Sequence, residues 1–212
     1  MKQKAFILKR SKDAWGHIDF MKNQEGAIHV PFEGDDYIRL NTMDIKIVDF
    51  PFQICFASDF SIIPMIDYPH NDLNLDILSQ KMLSVFKDLD DFKYNEIPVI
   101  MFDHKEMEAY HIEQGELLED LQRRNEDYIA IQLLDYTDVF DRENSEYEED
   151  FLDPDEVGDI DKLVLKWPKK GFPPLFRLDE SATKLFVSEQ AKNALEAANI
   201  KGCEFEEVEV SG

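Results

Sequence analysis

LFVSEQAKNALEAANIKGCEFEEVEV, residues 185–210, carries the reading of the fold. Leu185, Phe186 and Val187 have strand character, and Ser188 interrupts them as a helix N-cap whose hydroxyl can accept from a first-turn amide. Glu189 then sits favourably at the positive end of the helix dipole. Ala191, Ala194, Leu195 and Ala198 recur at helical spacing as one apolar stripe. Asn199 and Gly202 end that helix and release a final strand over residues 203–210. The sequence therefore predicts a closing unit of strand, capped helix and strand.

Working outward, the same two periods recur without a strict βαβ rhythm. Residues 5–9 read as a first strand. Short strands are expected near residues 27–30, 37–40 and 45–48, punctuated by Gly26, Gly34 and Asn41. Residues 50–66 are aromatic and proline-bearing, which favours strand and buried loop over helix. From Leu78 the period changes: Met82, Leu83, Phe86 and Leu89 recur at helical spacing behind Ser79 as N-cap. Residues 97–102 form an apolar run of strand length. Residues 127–140 read as a long central strand, or as two strands joined by a bulge. Strand signals return at 163–167, 175–178 and 184–187. No internal repeat and no Gly/Ser linker is visible, so residues 1–212 read as one unit with a strand-rich part over 1–74. The expected class is α+β, with mixed, mainly antiparallel sheets and a few packed helices.

Charge sets the choice of partner. Lys plus Arg total 23 against 46 Asp plus Glu, for a formal net charge of −23. Such a chain repels phosphate backbones, which excludes direct nucleic-acid binding, and anionic membrane surfaces are disfavoured for the same reason. A basic macromolecule is the natural partner, met under long-range attraction. A 43% hydrophobic content supports a packed core. Two cysteines, Cys55 and Cys203, outside any CxxC context, suit a reducing cytosol. The apolar residues after Met1 are interrupted by Lys9 and Arg10, short of the roughly 7–15 residues of a secretory core. Residues 50–66 are too broken and too short for the ~20 residues of a membrane helix. The expected location is the cytoplasm.

Catalytic constellations are sparse. His104, Glu108 and His111 would share one face of a helix, at the spacing of a carboxylate–histidine metal pair, but no second copy of the pair exists. Residues 153–164 suggest a calcium loop until Val157 and Val164 occupy two positions that need oxygen ligands, and the loop is rejected. Cys55 lies between Ile54 and Phe56, where a thiolate is disfavoured. There is no GxSxG elbow and no glycine loop to cradle phosphate. No catalytic residue, cofactor or metal is assigned.

Residues 141–161 stand apart, with eleven acidic residues against one basic residue, Arg142. A block this dense is a solvated loop or an interaction surface. As an interaction surface, its contacting residues are Glu146, Glu148, Glu149, Asp150, Asp153, Asp155 and Glu156.

Four stretches in order resemble a known family. They are 77–83; 128–134 leading into Asp141-Arg142-Glu143-Asn144-Ser145-Glu146-Tyr147; 160–165 followed by 174–178; and 185–189 with the helix at 191–198 and the close at 200–205. Over roughly residues 75–210 they resemble immunity protein family eleven, bacterial proteins found beside polymorphic toxins. The resemblance implies a non-enzymatic antitoxin of interbacterial competition, which binds a cognate toxin C-terminal domain in the producing cell. Within the motifs, Asp141, Arg142, Ser145, Ser188 and Gly202 are expected to serve the fold, because Asp and Ser beside Arg at a strand end order a turn. The charge adds a basic, intracellularly acting toxin such as a nuclease. Two other classes compete: a metal-assisted hydrolase built on His104, Glu108 and His111, and an acidic regulatory module without a toxin. A homo-oligomer is compatible with all three.

Overall fold

The computed structural model describes residues 4–12, 17–18, 24–25, 27–29, 53–109, 122–151, 153 and 156–212. The first half holds β1 (Ala5–Arg10), β2 (His17–Ile18), β3 (Gln24–Glu25), β4 (Ile28–His29), β5 (Ile54–Ser58), β6 (Ile77–Ser79), α1 (Gln80–Lys87), β7 (Tyr94–Asp103) and α2 (His104–Ala109). The second half holds β8 (Arg124–Leu133), β9 (Glu146–Glu149), β10 (Val157–Lys162), β11 (Val164–Lys166), β12 (Leu175–Phe176), β13 (Leu185–Ser188), α3 (Glu189–Ala197) and β14 (Cys203–Ser211). Two five-stranded sheets dominate, in the orders β11-β14-β1-β13-β12 and β4-β5-β7-β8-β6. Only β11/β14 and β5/β7 pair in parallel within them. The class is α+β, with mixed, mostly antiparallel sheets and α3 leading into the closing strand β14.

Period-two alternation sorts side chains onto three cores. From β1, Phe6 and Leu8 enter a central core while Ala5 and Ile7 enter a second, on the opposite face. Leu185 and Val187 of β13 follow the first pair and Phe186 the second. In the other sheet, Ile129, Ile131 and Leu133 of β8 face the central core, and Tyr128 and Ala130 face a third. Met82, Leu83 and Phe86 of α1 and Ala191 and Leu195 of α3 fill the central core, so both helices lie where the two sheets meet. Each helix begins at a serine. Ser79 Oγ accepts from Met82 N at 3.0 Å, and Ser188 Oγ accepts from Ala191 N at 3.2 Å. After α3, Asn199 (φ 54°) and Gly202 (φ 88°) take the left-handed conformation that reverses the chain into β14.

Buried polar groups join the two sheets. Asp67 accepts from Ser79 Oγ at 2.6 Å and from Lys201 N at 2.8 Å, linking the start of α1 to the turn before β14. Asp76, 6% exposed, accepts from Tyr68 Oη at 3.0 Å and from Arg177 Nη2, with an Arg10 Nη2 atom 3.8 Å away. Arg10 comes from the middle of one sheet and Arg177 from beside β12 at its edge, while Tyr68 and Asp76 belong to the segment leading into β6. Burying this carboxylate is tolerated because it is paired and hydrogen-bonded on both oxygens.

Two expectations need revision. The strand expected over 127–140 starts earlier and stops at Leu133; Phe140 makes only an isolated bridge to Leu165. The run 97–102 is part of the longer β7. The strands expected near 37–40 and 45–48 lie outside the described residues. Among the described residues no helix is long and apolar enough to cross a membrane.

Candidate partner-binding interface

The acidic run is a β-ribbon. β9 and β10 pair antiparallel, with Val157 opposite Glu149, Ile160 opposite Tyr147 and Lys162 opposite Glu146. Register shifts flank Ile160 on both sides, so the ribbon is bulged and bent away from a flat ladder. Gly158 permits this, because a Cβ there would stand 3.3 Å from the carbonyl oxygens of both Glu148 and Glu149. Tyr147 and Ile160 are half-buried, and the tyrosine ring meets Phe140 edge-on at 5.5 Å. That contact supplies the ribbon with its small apolar side.

Its base is bolted down by residues 141–145. Asp141 N donates to Val164 O at 2.9 Å, and the Asp141 carbonyl accepts from Ser145 N at 2.9 Å. The Asp141 carboxylate accepts from Asn144 Nδ2 at 2.7 Å, from Glu143 N at 3.2 Å and from Ser211 Oγ. The hydrogen bonds from Ser211 and Asn144 hold the Asp141 carboxyl below the usual carboxylate range. Ser145 Oγ accepts from Val164 N at 2.9 Å and lies 3.2 Å from Val164 O as donor. The turn thus ties the ribbon to β11 and to the end of β14. At the other side of the base, Lys162 pairs with Glu209 of β14 at 2.9 Å, which raises the lysine pKa.

The outer part is acid. Glu146, Glu148, Glu149, Asp153 and Glu156 are exposed and Asp150 is half-buried; Asp155 lies outside the described residues. Glu148, Glu149 and Glu156 have no ion pair among the described residues. At the tip, Asp150 Oδ1 accepts from Asp153 N at 3.1 Å, and Asp150 N donates to Glu156 O at 3.2 Å. The structure thus brings six of the seven proposed contact residues onto one ribbon. Of the other motif residues, Asp141 and Ser145 sit at its base, and Arg142 is exposed, with Nη2 3.8 Å from Glu180. Ser188 and Gly202 frame α3, in a different part of the fold. Phe151, at the tip, was not singled out by sequence reasoning. Its signal was present as an aromatic where a tip calls for turn residues.

The metal-type constellation divides. His104 is 5% exposed at the start of α2, and its Nδ1 lies 3.1 Å from Ser58 O. Glu108 lies within α2; His111 lies outside the described residues. Among the described residues, no three His, Cys, Asp or Glu side chains converge on a point. Cys55 is buried, and burial followed by the charge of Asp67 pushes the Cys203 thiol up to about 12. A cavity of about 750 Å³ opens beside Asp76 and includes Arg10, Arg177 and Lys184 in its lining. Both guanidiniums there are already committed, Arg10 to the carbonyls of Pro69 and Leu75, Arg177 to Asp76 and the carbonyl of Ala182.

Residues 117–210 match the model of an immunity protein family, Imm11. The matched segment contains the whole β9–β10 ribbon, the Asp141 turn and the α3–β14 close, and it begins later than the resemblance read from the sequence. The match is consistent with an immunity protein of the Imm11 type. No curated protein matches the chain.

Proposed function

We propose that this protein is the antitoxin of a polymorphic toxin system, that it acts in the cytoplasm of the producing cell, and that it neutralises a basic toxin domain through the β9–β10 ribbon. The observation that carries this reading is the ribbon itself. Its exposed carboxylates are concentrated on one two-stranded element inside the family-matched segment, and Tyr147 packs against Phe140 at its base. Dense like charge costs the folded state through self-repulsion, and a chain of net charge −23 needs no further acid for solubility. A cationic cleft offsets that repulsion on binding, and a nuclease cleft, built to receive phosphates, has the matching chemistry. Inhibition then follows from occupancy: carboxylates held in the cleft exclude the anionic substrate.

The test is co-expression with the product of the adjacent gene. The expected result is a stoichiometric complex on purification and protection of cells from that product. A chain that purifies alone, in cells that die, would remove the antitoxin reading.

A further inference from the structure

Phe151 is 96% exposed, more than Met65 at 63% or Leu134 at 39%, the other large apolar side chains that reach solvent among the described residues. It stands two residues past the end of β9, on the connection to β10. The ribbon's other ring, Tyr147, is used at the base against Phe140. Among the described residues Phe151 has no aromatic contact and takes no part in the ladder. A tip of this kind ordinarily carries Gly, Asn, Asp or Ser. An aromatic there, among the acidic residues Glu148, Glu149, Asp150, Asp153 and Glu156 of the same segment, has the composition of an interface anchor inside a charged rim.

We infer that Phe151 is the anchor of the toxin contact, inserting into an apolar pocket of the basic toxin domain while the surrounding carboxylates meet the cations at the pocket's edge. The inference rests on the ribbon being the toxin-binding element. Charge complementarity fixes the occupant's class: an acidic rim disfavours another copy of this acidic chain and favours a pocket bordered by lysine and arginine. The two parts divide the work. Carboxylates act at a distance and set the association rate, whereas a ring seated in a pocket acts only after contact and sets the dissociation rate.

The experiment uses the full chain and an inactive variant of the adjacent gene's product as probe, with binding followed in real time. Phe151→Ala should dissociate at least tenfold faster with an unchanged association rate, Phe151→Trp should bind within threefold of the parent, and both should melt at the parental temperature. An unchanged dissociation rate for Phe151→Ala overturns the inference, as does a loss confined to association. Amide replacement of Glu148, Glu149 and Glu156 separates the two claims. If that variant associates more slowly while Phe151→Ala binds normally, the ribbon reading stands and the anchor falls. If neither change affects binding, both fall.

Discussion

The Asp141 carboxylate accepts three hydrogen bonds, from Asn144, Glu143 and Ser211, and that makes its protonation a stability switch. Its pKa is lowered in the folded protein by the hydrogen bonds from Ser211 and Asn144, so folding favours the ionised form. The contribution is fully present above the unfolded carboxylate value of about 3.9 and is lost as pH falls through the lower folded value. Asp141→Asn should therefore melt at a lower temperature than the parent at pH 7. The gap should narrow on acidification below about pH 4, as followed by circular dichroism. A gap that is constant from neutral to strongly acid pH would contradict this assignment. The ingredients of this turn are local and visible in sequence, since Asp, Asn and Ser within five positions favour side-chain-to-backbone bonding. The Asp76–Arg177 pair was not visible. Its partners are 101 positions apart, and one acid among 46 Asp and Glu residues carries no mark of burial.

At the scale of elements, α1 and α3 were legible because everything that makes them is short-range: a serine cap, an apolar stripe and, after α3, residues that tolerate positive φ. Ser188→Ala should cost about 1 kcal/mol by removing the acceptor for Ala191 N. Leu195→Asp would place a charge at a site 1% exposed and should cost several kcal/mol, on the order of the largest single-site effects. Chemical denaturation of both variants checks the order: the cap loss is modest, the core charge severe. A soluble, normally melting Leu195→Asp protein would contradict the packing of α3. The acidic ribbon was legible as a block but not as strands, because Glu148 and Glu149 are consecutive and blur the alternation on which strand reading depends. Tyr147 and Ile160, opposite each other across the ladder, carry apolar contact on one side. The opposite error arose at residues 133–134. Two leucines in a row imply continued burial, yet Leu133 ends β8 and Leu134 is 39% exposed.

Across the whole molecule, the N-terminal strand is the piece sequence could not place. β1 lies between β13 and β14, more than 170 positions away, and pairs with both. Nothing in a four-residue apolar run names its neighbours, because pairing depends on register and burial that only the assembled sheet defines. It follows that the family-matched segment is not a sheet by itself. Deleting residues 1–10 would open the middle of the sheet and remove the buried Phe6, Ile7 and Leu8, whose burial is worth roughly 1.5–3 kcal/mol each, against a typical domain stability of about 5–15 kcal/mol. The truncated chain should show no cooperative thermal transition; a sharp melt would mean that the C-terminal part folds alone. At this scale the net charge and the ribbon become one device, a strongly negative body that presents its densest carboxylates on a two-stranded ribbon. The most direct test is the salt dependence of association with the adjacent gene's product. The parent is compared with a variant carrying amides at Glu146, Glu148, Glu149, Asp150, Asp153, Asp155 and Glu156. The parental association rate should fall steeply as salt rises while the variant's is slower and flatter, because screening acts on the same charges; parallel salt slopes with equal affinity would place the toxin contact elsewhere on the molecule.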